Sequence, residues 1–246
     1  MSHGVAVGND ELRWTQVGQD TTLGNMTPAG DLVAALRTAV PILRLPGRNA
    51  TKADVLQYEL DGRRLAVKDY TARPRWIRNT LGRWLVRREV AAYRATAGLP
   101  EVPALVGRLS PFAFATGWVD ARPLSALSAR PLDPALFDRL ERALAGLHAR
   151  GVALGDLHHR DVLVTDEGAV HVVDFATAWI APPGSGALRK AIFRRMAEQD
   201  RLAAARLRAR FTGMDEAEAL AGLPPAAVRR WRRGRAVKRL LDRMRG

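Results

Sequence analysis

The chain predicts an α+β fold, with strand-like stretches gathered early and helix-like stretches late. Three observations carry this. Two alternating runs flank Asp61-Gly62, a two-residue hairpin turn. Apolar residues recur at helical spacing over 75–97 and 134–150. Two short apolar runs flank the turn Thr165-Asp166-Glu167-Gly168, which folds them into a second hairpin.

Residues 1–28 have weak periodicity and read as an irregular extension. Over 31–40, Leu32, Leu36 and Val40 share one helical face, and Asp31 suits the N-cap. Residues 55–60 alternate as a strand, and after the turn a second strand is expected over 64–70, containing Leu65-Ala66-Val67-Lys68. A long helix over 75–97 carries Trp76, Leu81, Trp84, Leu85 and Val90, and Gly98-Leu99-Pro100 stops it. Two short strands follow over 106–109 and 112–116. A connection spans 118–124, and a helix over 134–150 has Pro134 near its start and Gly151 past its end. The hairpin of 162–173 comes next. Everything after Ala176 reads as helical, with a break at Gly222-Leu223-Pro224-Pro225.

At 246 residues the chain is long enough for a substantial core. Apolar residues make up 47%, which argues against wholesale disorder. The absence of cysteine removes disulfides, thiolate metal sites and cysteine nucleophiles, and fits a reducing cytoplasm. The first thirty residues hold no apolar run of secretory-signal length, and no stretch approaches the ~18 uninterrupted apolar residues of a spanning helix. The net charge of +14 points to anionic partners: nucleotide, nucleic acid, phospholipid or a phosphorylated glycolipid.

The second hairpin carries the chemistry. Gly155-Asp156-Leu157-His158-His159-Arg160-Asp161 leads into it, and Asp174-Phe175-Ala176 leaves it. Its fold brings Asp156, Asp161 and Asp174 toward one edge. Carboxylates gathered in this way suit Mg²⁺, a hard cation that takes oxygen ligands, with a base beside it.

Those residues resemble the protein-kinase-like superfamily. Asp156 and Asp161 have the five-residue spacing of its catalytic Asp and metal-binding Asn, and Asp174-Phe175 stands where its Asp-Phe-Gly turn begins. Within the superfamily the chain looks most like the compact bacterial branch of lipopolysaccharide core sugar (Kdo/heptose) kinases, with RIO-type kinases as cousins. The resemblance spans about residues 43–211 and implies a two-lobed kinase-like fold: a small antiparallel-sheet N-lobe and a reduced helical C-lobe. The expected division is an extension over 1–40, the N-lobe over 41–118, the C-lobe over 119–226 and a basic amphipathic helix over 227–246.

The same resemblance implies an ATP- and Mg²⁺-dependent phosphotransferase. Asp156 would be the general base and Asp174 the principal metal ligand. Asp161 stands where the family has Asn and would also bind metal. Lys68 would contact the α and β phosphates, held by Glu89, the only acid on the long helix. His158 matches the family's loop His, with a structural role. Arg48 and Lys52 lie in Gly47-Arg48-Asn49-Ala50-Thr51-Lys52-Ala53-Asp54, where the family covers the phosphates with several glycines. With Gly47 alone, side chains would take over from backbone amides. The backbone around Trp118 and Val119 would meet the adenine edge, and Asp200 would brace the catalytic loop.

No Ala-Pro-Glu motif closes an activation segment after Asp174, which turns the expectation toward a sugar hydroxyl of a lipopolysaccharide-type glycolipid. A protein serine/threonine kinase and a nucleotide-binding pseudokinase stay as alternatives. Ala176 in place of Gly, Asp161 in place of Asn and the glycine-poor loop all favour the pseudokinase.

Two basic zones remain. Arg73, Arg75, Arg78, Arg83, Arg87 and Arg88 interleave with Trp76 and Trp84 and meet no acid. Residues 228–246 hold nine Arg or Lys against Asp242, with Val228, Trp231, Val237, Leu240, Leu241 and Met244 near one helical face. Peripheral membrane contact through this basic C-terminal helix, nucleic-acid binding and a solvated inert face are all compatible with such patterning. The expected location is cytoplasmic, including the inner face of the membrane.

Overall fold

A computed structural model describes residues 29–127 and 131–233. They form an α+β fold built on a five-stranded antiparallel sheet and several helices. The chain divides into two compact units, one of residues 1–128 with 159–176, the other of 129–158 with 177–246. The single early-to-late boundary expected near residue 118 becomes three. The second hairpin pairs with the strand just after 118–121 and so joins the first unit rather than the helical one.

In the first unit, helix α1 (Ala29–Leu36) precedes strands β1 (Leu43–Leu45), β2 (Asp54–Leu60) and β3 (Arg63–Asp69). The helix is shorter at its C-terminal end than the periodicity suggests, and Val40 is exposed. Leu32 and Leu36 pack on a sheet face of Tyr58, Leu65, Val67 and Leu109. The β2–β3 turn is Asp61 at φ 49° and Gly62 at φ 71°, the positive pair that a right-twisted hairpin demands.

The expected long helix is composite: α2 (Arg75–Ile77), a π turn (Arg78–Gly82) and α3 (Arg83–Ala95). The π turn inserts one residue into the α repeat, so Ile77, Gly82, Val86 and Val90 all keep to the buried side. Gly82 sits where a Cβ would come within 3.1 Å of the Tyr70 ring stem, which leaves little room for a side chain.

Strands β4 (Leu105–Ser110) and β5 (Ala113–Gly117) complete the sheet in the order β1-β2-β3-β5-β4. Lys68 lies opposite Val55 on one side and Phe114 on the other. Beyond the sheet come β6 (Arg122–Pro123) and a 3₁₀ turn (Leu124–Ala126).

The second unit begins with α4 (Pro134–Ala149), whose N-cap Asp133 accepts the Ala135 amide at 2.9 Å. After it comes β7 (Val152–Ala153). The expected hairpin, β8 (Val162–Val164) and β9 (Val170–Val172), returns to the first unit in a small sheet of order β6-β8-β9. In the second unit, residues past 176 are not all helical. Strand β10 (Trp179–Ile180) pairs with β7, because Val152 and Ala153 present a ladder edge that a local reading cannot see. Then α5 (Ala187–Thr212) and α6 (Glu216–Leu220) pack through Leu202, Ala205, Leu220 and Ala227. Residues 225–233 are helical. The rest of the basic amphipathic helix expected over 227–246, and the extension expected before residue 29, lie outside the described residues. Among the described residues no helix is long and apolar enough to cross a membrane.

Replacing Gly62 with Ala places a Cβ at φ 71° with nothing to clash against, so the cost is backbone strain alone. The urea midpoint is expected to fall by about 1 kcal/mol of stability at unchanged m-value.

Candidate functional site

The site grows from one buried acid. Glu89 lies on the core face of α3 with Val86, Val90 and Tyr93, and none of its surface reaches solvent. A lone buried carboxylate is expensive. Lys68, on the facing side of β3, supplies its cation: Nζ donates to Glu89 Oε2 at 2.7 Å and to Asp174 Oδ1 at 2.8 Å. Oε1 of Glu89 is buried without a hydrogen bond. Burial disfavours the Lys68 ammonium, yet the Glu89 and Asp174 carboxylates outweigh it and hold Lys68 well above its ordinary value. Burial pushes Glu89 upward against the pull of Lys68. Lys68 is the main cause that lowers Asp174 to about 2, with burial opposing.

Asp174 follows β9 with φ 67°, a left-handed conformation uncommon for a residue with a side chain. Three contacts hold it there: the Lys68 bond, the Ala176 amide donating to Oδ1 at 3.2 Å, and Phe175, which is fully buried. The Phe175 ring meets Tyr93 edge-on at 4.8 Å, and Tyr93 meets Phe114 at 5.7 Å. An aromatic ledge therefore runs beneath the charged triad.

Lys52 reaches Asp174 Oδ2 at 3.8 Å from the loop between β1 and β2. Buried Asp54 shapes that loop: it accepts the Gly47 amide at 2.9 Å, pairs with Arg44 at 2.6 Å and also binds Arg73. A Cβ at Gly47 would lie 2.4 Å from the Lys52 carbonyl oxygen, so the loop closes only around glycine here.

Beside the triad is a cleft of ≈ 210 Å³. Lys68, Arg160, Asp161 and Asp174 give it polar groups, while Val55, Ala66, Phe114, Val119 and Leu163 give it apolar walls. Trp118 and Val119 both line it. The Trp118 amide is already committed to the Arg64 carbonyl at 3.0 Å. Val119, only 7% exposed, has no hydrogen-bond partner for its backbone N–H or C=O among the described residues. A donor and an acceptor side by side at the cleft wall can meet a partner that offers the reverse pair.

Of the expected site residues, the first unit brings Lys68, Glu89, Asp174 and Lys52 together, and Asp161 joins Lys68 and Asp174 in the cleft wall. Arg48 is exposed and does not line the cleft. Asp156 and His158 belong to the second unit and are exposed. Their loop is braced as expected: Asp200, fully buried, accepts the Leu154 amide at 2.8 Å and the Gly155 amide at 2.7 Å, and His148 Nε2 lies 2.9 Å away. Among the described residues no three His, Cys, Asp or Glu side chains gather closely enough to hold a metal ion by themselves. Tyr93 escapes the sequence reading, although its place four residues after Glu89 puts both on one helical face. In comparison with known proteins, no protein-family model matches the chain and no curated protein matches it.

Lys68→Met strips the buried Glu89 of its cation and is expected to cost about 3 kcal/mol by urea unfolding. Adding Glu89→Leu should restore most of that loss, and a double variant no better than the single would contradict the pairing. Acid titration gives a second check. The Asp174 carboxyl lies below its ordinary 3.8 in the folded chain, so its contribution is complete above about pH 4 and is lost as pH falls toward 2. The stability gap between wild type and Asp174→Asn, at most about 2 kcal/mol near neutrality, should therefore narrow steadily below pH 4.

Proposed function

We propose that the chain is a phosphotransferase of protein-kinase-like design, with two lobes, that moves the γ-phosphoryl group of ATP to a hydroxyl. One observation carries the reading: a lysine pinned between a helix glutamate and a turn aspartate at the wall of a cleft. The sheet order β1-β2-β3-β5-β4, with α3 between β3 and β4, supports the same design.

Each residue has a part. The apolar walls sandwich the adenine ring, and the Val119 N–H and C=O meet its donor–acceptor edge. Lys68, pre-oriented by Glu89, offers its ammonium to the α and β phosphates at no cost in reorganisation. Lys52 adds a second cation over the phosphates, in place of the amides of a glycine-rich loop. Asp161 and Asp174 offer hard oxygen donors to one cleft, a set that fits Mg²⁺ completed by water and phosphate oxygens. Held by Asp161 and Asp174, a Mg²⁺ ion would supply charge neutralisation at the phosphates. The acceptor oxygen attacks Pγ, the bond from Pγ to the β–γ bridging oxygen breaks, ADP departs, and the hydroxyl proton passes to Asp156. That last role rests on the Gly155-Asp156-Leu157-His158 sequence, and the Asp200 bracing supports it by fixing the amides just before Asp156.

The acceptor proposed is a sugar hydroxyl of a lipopolysaccharide-type glycolipid. A protein hydroxyl is the alternative, and transfer to peptide but not to core oligosaccharide would select it. A nucleotide-binding pseudokinase is the second alternative, and besides Asp161 and Ala176 the loop over 47–54 favours it. Only Gly47 there lacks a side chain, and Asp54 ties the Gly47 amide down.

Saturating Mg²⁺ and ATP should raise the thermal midpoint, by about 2.7 kcal/mol of stability at 100 times Kd. Lys68→Met should lose that response. Asp156→Asn should keep it while transfer falls at least about 100-fold. Stabilisation without any turnover in wild type would leave the pseudokinase standing. No nucleotide response at all would defeat both readings.

A further inference from the structure

We propose that the outer face of α2, the π turn and α3 is a docking surface for a bilayer carrying anionic phospholipid. This does not rest on the phosphotransfer reading. Along this stretch the exposed residues come in pairs every four positions: Arg75 and Trp76, Asn79 and Thr80, Arg83 and Trp84, then Arg87. A four-residue repeat drifts about 40° per step around an ordinary α-helix. The π turn absorbs that drift, so Trp76 and Trp84 stand on one face, roughly two turns or ~11 Å apart along the axis.

Both indoles stand out from the protein, with Trp76 72% and Trp84 51% exposed. The exposed part of each ring is apolar surface that folding leaves in water. The segment that carries them holds six arginines and no acid from Thr71 to Arg88. The arginines divide by task. Arg73 binds Asp54, and Arg78 donates to the Thr71 carbonyl at 3.1 Å, so these two serve the fold. Arg75 and Arg87 have no side-chain partner among the described residues.

Exposed indoles flanked by unpaired guanidinium groups complement an anionic interface, where indoles settle at the headgroup level and arginines reach phosphates. A nucleic-acid strand fits less well. It stacks bases on open ring faces, and the Arg88 guanidinium already covers one face of Trp84 at 4.7 Å. The axial separation of the rings also exceeds the ~3.4 Å rise of stacked bases.

The test is co-sedimentation of the full chain with vesicles of phosphatidylcholine mixed with phosphatidylglycerol, against pure phosphatidylcholine. Binding is expected only with the anionic lipid, weakening as salt is raised. Trp76→Ala with Trp84→Ala should weaken it at least roughly tenfold. Arg75→Gln with Arg87→Gln should cost roughly fivefold per arginine. All four positions are exposed, so the thermal midpoints should stay near wild type, and brominated lipid should quench tryptophan fluorescence less in the double-Trp variant. No binding to anionic vesicles overturns the proposal. So does binding that survives both pairs of substitutions, or a preference for RNA over vesicles that the same substitutions abolish.

Discussion

Glu89 has no route to solvent, and its charge must be answered from within the protein. Lys68 answers it, and Lys68 in turn holds Asp174, so one carboxylate on a helix organises a strand and a turn 106 residues further along the chain from that lysine. The register of β3 against β5 sets Lys68 opposite Phe114. The rings of Phe114, Tyr93 and Phe175 then tie α3 and the turn together a second time through packing, with β5, the neighbour of β3, as the third member. The electrostatic and the apolar links reinforce each other. Glu89 is fully buried, and the exclusion of water there strengthens its bond to Lys68. Asp174 is held in a left-handed backbone by this double attachment, a conformation that a free turn would abandon.

Two other buried acids organise loops in a similar way. Asp54 gathers the Gly47 amide and two arginines, which shapes the turn that carries Lys52 toward Asp174. Asp200 gathers the Leu154 and Gly155 amides in the second unit, just ahead of Asp156. In each case loop amides donate to a buried carboxylate instead of to a carbonyl of regular structure. Such loops have a defined shape without helix or strand, as preorganised chemistry requires.

The π turn links the interior to the surface. An uninterrupted α-helix from Arg75 would rotate either its buried series or its exposed series out of place. One inserted residue keeps Val86 and Glu89 inward, toward the lysine, and at the same time aligns two tryptophans outward. The arginines that interleave with them look alike in the sequence, but the fold separates those tied to Asp54 and Thr71 from those left to solvent.

Local signals were enough for much of this. Asp61-Gly62 marks the first hairpin because only such residues accept two successive positive φ angles. The alternation on either side marks its strands, and Pro134 with Gly151 brackets α4. The order of strand lysine, helix glutamate and Asp-Phe turn was also legible, since each belongs to a short pattern. Interactions between distant residues decided the rest. The β7–β10 pair, the π turn, the unpaired amide and carbonyl of Val119 at the cleft and the exclusion of Arg48 from it have no signature within a few residues. Each depends on which surface arrives from elsewhere in the chain. The sequence by itself determined the secondary elements and the candidates for chemistry, because propensity and periodicity act over a few residues. Only the tertiary structure decided which candidates meet, because burial and charge pairing are properties of the packed chain.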